Sequence, residues 1–196
     1  MTKNRVLVIA SGNQGKILEF QGLLSGLPLQ VEPQPKGLDV EETGITFAEN
    51  ARIKALAVAQ ATGHWALADD SGLSVSALNG APGVHSARYA PTDPERIEKL
   101  LAALLQCNER SAHFSAALCV AAPDGEVLLE VEGRCEGQIT KTPRGDQGFG
   151  YDPIFEVNNT GRTFAEMSLA EKKSYGHRGR AFALLEPLLK NLIAVN

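Results

Sequence analysis

Residues 5–10, Arg-Val-Leu-Val-Ile-Ala, are continuously apolar after Arg5, with β-branched Val6, Val8 and Ile9, in a run that stops at residues 11–16, Ser-Gly-Asn-Gln-Gly-Lys. Such a run offers no polar face to water, so it reads as a strand buried on both sides. Beyond the glycines, Ile17, Phe20, Leu23 and Leu24 recur at helical spacing. Strand, glycine-rich loop and helix thus follow in order, which commits the start of the chain to an α/β arrangement. At such a junction, backbone N–H groups and the positive end of a helix dipole can face one anion, and Lys16 adds a full charge. The loop is not a Walker A loop: it is two residues short between its glycines, and Ile17 stands where the magnesium-binding hydroxyl belongs. An ordinary glycine turn is the competing reading.

Further along, Thr46 and Glu49 make a capping box ahead of an alanine-rich helix, Phe47–Thr62, closed by Gly63. Residues 31–40, before it, are proline-interrupted and read as a short strand plus loop. Residues 65–68 read as a buried strand that delivers Asp69 and Asp70 at its end, before Ser71 and Gly72 turn the chain into residues 73–78. Prolines at 91 and 94 open a second helix through Ile97, Leu100, Leu101, Leu104 and Leu105. Residues 114–122 and 127–131, joined by a Pro-Asp-Gly turn, look like a long hairpin, with Gly133 a candidate bulge. Ser168 and Glu171 suggest another capped helical turn. The last helix, residues 179–194, holds Pro187, which should kink or restart it. Early alternation and a later hairpin together predict a mixed sheet in the α/β class. With 196 residues, 43% of them hydrophobic, the chain can bury a full core as one domain over residues 1–196, with room for two lobes.

A formal charge of -4 gives no general attraction to polyanions, so nucleic acid is not an expected partner. A small anionic ligand would need locally placed donors. Cys107, Cys119 and Cys135 are far apart and lack C-x-x-C spacing, which fits a reduced cytoplasm. Residues 1–5 and the apolar run at 6–10 are too short for a signal sequence, and no stretch reaches the ~18 apolar residues that would span a bilayer. No membrane association is expected.

The chemistry concentrates in a few places. Glu41-Glu42 and Asp69-Asp70 lie on either side of the capped helix, and carboxylates of this kind suit magnesium, which also takes substrate phosphates. Asp70 could in addition accept a proton from an attacking water. A solvated loop pair is the alternative for Glu41-Glu42, whereas two carboxylates closing an apolar strand repel unless a cation lies between them. Asn50 and Lys54 are four apart on one helix face and could reach a phosphate together. Residues 148–152, Gly-Phe-Gly-Tyr-Asp, combine free backbone with two rings on which a flat base could stack; a packed core hairpin is the alternative. Lys172, Lys173, His177 and Arg178 gather cations and donors before the last helix. His64, His85 and His113 lack any metal-ligand spacing.

In order along the chain stand Ser-Gly-Asn-x-Gly-Lys, Glu-Glu-Thr-Gly-x-Thr-Phe-x-Glu-Asn-Ala, Ala-Asp-Asp-Ser-Gly-Leu, Gly-Phe-Gly-Tyr-Asp-Pro-Ile-Phe and His-Arg-Gly. From Ser11 to Gly179 this series resembles the inosine/xanthosine triphosphate pyrophosphatases. The resemblance implies an elongated α/β fold with a long curved mixed sheet flanked by helices, two lobes with a nucleotide cleft between them, and a homodimer. It also implies hydrolysis of deaminated purine nucleoside triphosphates (ITP, dITP, XTP) to monophosphate and pyrophosphate, with Mg2+, which keeps such bases out of DNA and RNA. By motif, Ser11, Gly12, Asn13, Gln14, Gly15, Lys16 and Lys54 resemble triphosphate contacts. Glu41 and Asp70 resemble metal ligands, Asp70 the catalytic base as well, and Ser71 a further substrate contact. Phe149, Gly150, Tyr151, Asp152, Lys172, His177 and Arg178 resemble the base-recognition group. One departure stands out: the family commonly has serine where this chain has Gly176. A pyrophosphatase for other altered nucleotides and a sensor that binds without cleaving are the alternatives, separated by the base-edge residues and by turnover respectively.

Overall fold

The computed structural model describes residues 5–195; residues 1–4, part of the start compared above with a signal sequence, and residue 196 lie outside the described residues. Six strands form one sheet in the order β2-β1-β3-β4-β5-β6. These are β1 (Arg5–Ala10), β2 (Leu29–Pro33), β3 (Trp65–Val75), β4 (Ser111–Ala121), β5 (Val127–Ile139) and β6 (Phe155–Val157). β1 pairs parallel with β2 and β3, whereas β5 pairs antiparallel with β6, so the sheet is mixed and the class is α/β, as expected. The chain divides into two compact units. One is built from the chain up to Asp70, from Ala116–Gly133 and from Ala181 onward; the other from Ser71–Ser115 and Arg134–Arg180.

In the first unit, the side-chain alternation of a strand explains how β1 can be apolar from Val6 to Ala10. Leu7 and Ile9 join Trp65 and Leu67 of β3 in a core covered by α1 (Gln14–Leu24) and by Phe182, Leu185 and Leu189 of α5 (His177–Val195). Val8 and Ala10 face the other way, onto Ala51, Ala55 and Ala59 of α2 (Phe47–Thr62). The facing strand residues there include Ala66, Ala68, Ala117 and Ala121, so small side chains meet small side chains and α2 approaches the sheet closely. The ends of α2 match the sequence: the Thr46–Glu49 capping box is complete and Gly63 closes the helix at φ 70°. Each such cap contributes about 1 kcal/mol.

In the second unit, α3 (Asp93–Ala103) and α4 (Leu169–Tyr175) accompany a core of Leu73, Leu100, Phe114, Phe155 and Phe164. Both helices open with complete capping boxes, Thr92–Glu95 and Ser168–Glu171.

Three local expectations change. β3 does not stop before the acidic pair but runs unbroken for 11 residues, so Asp69 and Asp70 sit inside a strand and Ser71-Gly72 is no turn. Lysine partners, described below, let the strand carry those charges. β5 runs on past Gly133 to Ile139. α5 starts at His177, two residues early, and contains Pro187 without a restart. Among the described residues no helix is long and apolar enough to cross a membrane.

Candidate active site

The loop from β1 to α1 is held by its own side chains. Ser11 Oγ accepts from the Asn13 N–H at 3.1 Å, and Asn13 Oδ1, as N-cap, accepts from the Lys16 N–H at 3.2 Å. The opening turn of a helix has N–H groups with no partner inside the helix, and here they follow an exposed Gly12-Asn13-Gln14 stretch, which is a donor surface for an anion. Lys16 leaves this turn to meet Asp69, Nζ to Oδ2 at 2.7 Å, with the Asp69 side chain 1% exposed.

Lys54 is the centre of the acidic cluster. From the middle of α2 its Nζ donates to Glu42 Oε1 at 2.6 Å, to the Asp69 backbone oxygen at 2.9 Å and to Asp70 Oδ1 at 3.2 Å. Burial disfavours its charge, but Asp70, Glu42 and Asp69 outweigh burial and raise its pKa. Asp70 is shifted upward too: burial dominates, with Glu42 and Asp69 adding to it against the opposing pull of Lys54 and Lys16. A carboxyl held above its usual range is better suited to accept a proton. Its second oxygen, Oδ2, is buried and meets no hydrogen-bond partner among the described residues. Glu41 is exposed, and its neighbour Glu42 is the residue that reaches Lys54. Asn50, paired with Lys54 in the sequence reading, instead accepts from the Gly44 N–H at 2.8 Å and fixes the loop that carries Glu42. Among the described residues no group of three or more His, Cys, Asp or Glu is arranged to hold a metal ion, and Glu42 and Asp70 both bond to Lys54.

A cavity of about 570 Å³ opens elsewhere in the first unit, where Arg5 stacks over Trp65, at the start of β1 and away from the loop that follows its end.

In the second unit, residues 148–152 make a tight turn. Asp152 Oδ2 accepts both the Phe149 N–H at 2.9 Å and Lys172 Nζ at 2.8 Å. Gly148 has φ 81°, and a Cβ there would lie 2.0 Å from that same oxygen, so glycine is required twice over. Phe149 lies beneath two cations, Lys172 Nζ at 5.2 Å and the Arg178 guanidinium at 5.5 Å from the ring centroid. Arg178 also donates to Ser71 Oγ at 2.6 Å. His177 stacks on Phe114, 4.7 Å between centroids and 12° between planes. Lys172 is buried in this group and Lys173 is exposed, which separates the two lysines. Gly176 closes α4 with its N–H on the Lys172 oxygen at 2.8 Å, and a Cβ there would come 2.5 Å from that oxygen. A serine at 176 would have to open the last turn of α4.

The Ham1 family model matches residues 7–188. The chain belongs to the Ham1 family. Among curated relatives, a dITP/XTP pyrophosphatase of Parasynechococcus marenigrum (strain WH8102) is 76% identical over 190 residues, 97% of each chain. Among solved structures, a HAM1 protein from Coxiella burnetii matches with a TM-score of 0.87 at 46% identity, covering 95% of this chain and 99% of that one. The Staphylococcus aureus Ham1 protein matches at 0.84 and 41%, with 95% and 99% covered.

Sequence reasoning passed over Asp69 as the partner of Lys16, Phe114 as the stacking partner of His177, and Asp93, which donates nothing to the helix pattern beyond its start. For Asp69 the adjacency to Asp70 was a signal; for Phe114 there was none, since the contact joins β4 to α5.

Proposed function

We propose that this chain hydrolyses the triphosphates of inosine, deoxyinosine and xanthosine to the monophosphate and pyrophosphate. The observation that carries the reading is Asp70, a buried carboxyl of raised pKa set between lysines in β3, in a chain with a 76% identical relative that bears the name dITP/XTP pyrophosphatase. A water molecule hydrogen-bonded to Asp70 attacks the α-phosphorus, Asp70 takes its proton, and the bond from the α-phosphorus to the α–β bridging oxygen breaks so that this oxygen leaves with pyrophosphate. Ser11, Gly12, Asn13, Gln14 and Gly15 present the opening of α1 to the phosphates, and Lys16 and Lys54 exchange their carboxylate partners for phosphate oxygens.

Magnesium fits this donor set, on the ground that Asp70 Oδ2 is buried and meets no hydrogen-bond donor among the described residues and that Asp70 and Glu42 already share one cation. We assign Asp70 and Glu42, in place of exposed Glu41, as the carboxylates that would hold it. When bound it would neutralise phosphate charge and make pyrophosphate a better leaving group.

Phe149 supplies the face for the base, while Lys172, His177 and Arg178 supply donors for its 6-oxo edge, with Gly150, Tyr151 and Asp152 shaping the turn and Ser71 holding Arg178 or a substrate oxygen. Adenine presents an amino group there and would leave those donors unpaired, a penalty that buried polar sites exploit. The reading includes a cytoplasmic homodimer. Free Cys107, Cys119 and Cys135, two of them buried, suit a reducing compartment, and the dimer rests on the sequence resemblance.

The test is product release from ITP, dITP, XTP, GTP, ATP and dTTP with and without magnesium, with pyrophosphate and orthophosphate measured separately. Magnesium-dependent pyrophosphate from the deaminated members, and loss of on the order of 10²–10⁴-fold in turnover for Asp70→Asn with binding retained, are expected. Orthophosphate release, or comparable rates on GTP and ATP, would overturn the reading.

A further inference from the structure

The turn at residues 148–152 is pinned from outside by a residue that no motif singles out. Asp93, the first residue of α3, accepts the Gly150 N–H on Oδ2 at 2.8 Å. Its other oxygen is held by Arg96, whose Nε donates to the Ala90 oxygen at 2.9 Å. Arg96 thereby sets the direction of the carboxylate. Thr92 and Glu95 close the capping box at the start of α3 through bonds to each other and make none to Asp93 Oδ1 or Oδ2 among the described residues, so the carboxylate takes its direction from Arg96.

Gly150 lies at φ 62° and a Cβ there would meet nothing within 4 Å, so its conformation is not enforced by packing. A glycine is free to leave the left-handed region; the Asp152 N–H on the Phe149 oxygen at 3.3 Å closes the turn loosely over Gly150, and the shorter bond to Asp93 holds its own amide. The flanking residues are anchored separately. Phe149 N–H is on Asp152, and Tyr151 donates its hydroxyl to the Ser86 oxygen at 2.9 Å. Rotation at Gly150 between those anchors would tilt the Phe149 ring away from Lys172 and Arg178.

We propose that Asp93 is a positioning residue for base selection: by holding the Gly150 amide it fixes Phe149 and the edge groups around it in the geometry that distinguishes a 6-oxo purine from adenine. This deepens the function proposed above and rests on it. A carboxylate that accepts a backbone N–H makes a stronger bond than a neutral acceptor, and misplacement of a positioning group by about an ångström suffices to degrade selectivity.

A purely structural role is the alternative, since an acidic residue in the first turn also favours the α3 dipole. The two separate in one experiment on the full chain. kcat and KM for ITP and ATP are measured for wild type, Asp93→Ala, Asp93→Asn and Glu95→Ala, together with Tm and the exchange rate of the Gly150 amide. Asp93→Ala is expected to lower the ITP/ATP ratio of kcat/KM by about tenfold, chiefly through KM for ITP, and to accelerate Gly150 exchange. Asp93→Asn, which keeps an acceptor oxygen for the Gly150 N–H but turns its amide NH2 toward Arg96, recovers part of the ratio. Glu95→Ala, which damages the same helix cap without touching the turn, lowers Tm and leaves the ratio unchanged. A lowered Tm for Asp93→Ala with an unchanged ratio overturns the proposal, as does equal loss of selectivity in Glu95→Ala. A wild type with no preference for ITP would instead overturn the functional reading itself.

Discussion

Lys54 and Asp70 are joined Nζ to Oδ1 at 3.2 Å inside the first unit, and the same ammonium holds Glu42 at 2.6 Å. All three side chains are largely buried. Lys54 is therefore the internal counter-charge of the acidic cluster, and any phosphate or cation that enters has to rearrange it.

Removing that charge should destabilise the fold. Lys54→Met removes the ammonium that Asp70 and Glu42 share, and loss of one partner from such a buried cluster costs about 3 kcal/mol. Urea unfolding without divalent ions should show this loss, and millimolar Mg2+ should recover part of it. Equal stability of variant and wild type without Mg2+ would contradict the assigned role.

Glu41 and Glu42 are adjacent in sequence and differ in placement. Glu42→Gln should raise the Mg2+ concentration for half-maximal turnover by about tenfold or more, whereas Glu41→Gln should leave it unchanged. A magnesium titration of both variants decides this, and the reverse order would return the ligand role to Glu41.

Gly148→Ala combines a left-handed backbone with a methyl placed on the Asp152 carboxylate. Strain of about 1–3 kcal/mol is expected, together with loss of the Phe149 N–H bond, so KM for ITP should rise more than kcat falls. A variant with wild-type KM would show that the turn does not meet the base.

Glu171 is pushed down to about 2 from an ordinary 4.5, first by Arg162, then by the N–H and hydroxyl of Ser168. Because its folded pKa is depressed, its contribution is present above pH 4.5 and is lost as pH falls toward 2. Wild type should lose more stability than Glu171→Gln across that window, by a small amount that added salt reduces, since the site lies at the surface. A constant difference in Tm between the two proteins from pH 5 to pH 2 would rule this out.

Patterns set by neighbours in sequence were the legible part of the fold. Thr46, Glu49 and Gly63 bound α2 at the residues expected, and Ile17, Phe20, Leu23 and Leu24 are all buried on α1. Ser71-Gly72 misled, because a strand normally ends where its apolar run ends; here Lys16 and Lys54, both distant in sequence from β3, allow the strand to carry Asp69 and Asp70 onward. In the candidate site, residue types were legible and pairings were not. A Glu-Glu dipeptide gives no sign of which carboxylate turns toward Lys54, and Thr92-Asp93 reads only as a helix start, since its bond to Gly150 spans 57 positions.

The most direct measurement is hydrolysis of ITP by the wild-type protein with Mg2+ in 18O-labelled water, with both products analysed by mass spectrometry. Attack at the α-phosphorus by a water that Asp70 deprotonates places one 18O in the inosine monophosphate and none in the pyrophosphate. Label in the pyrophosphate, or release of orthophosphate, would contradict it.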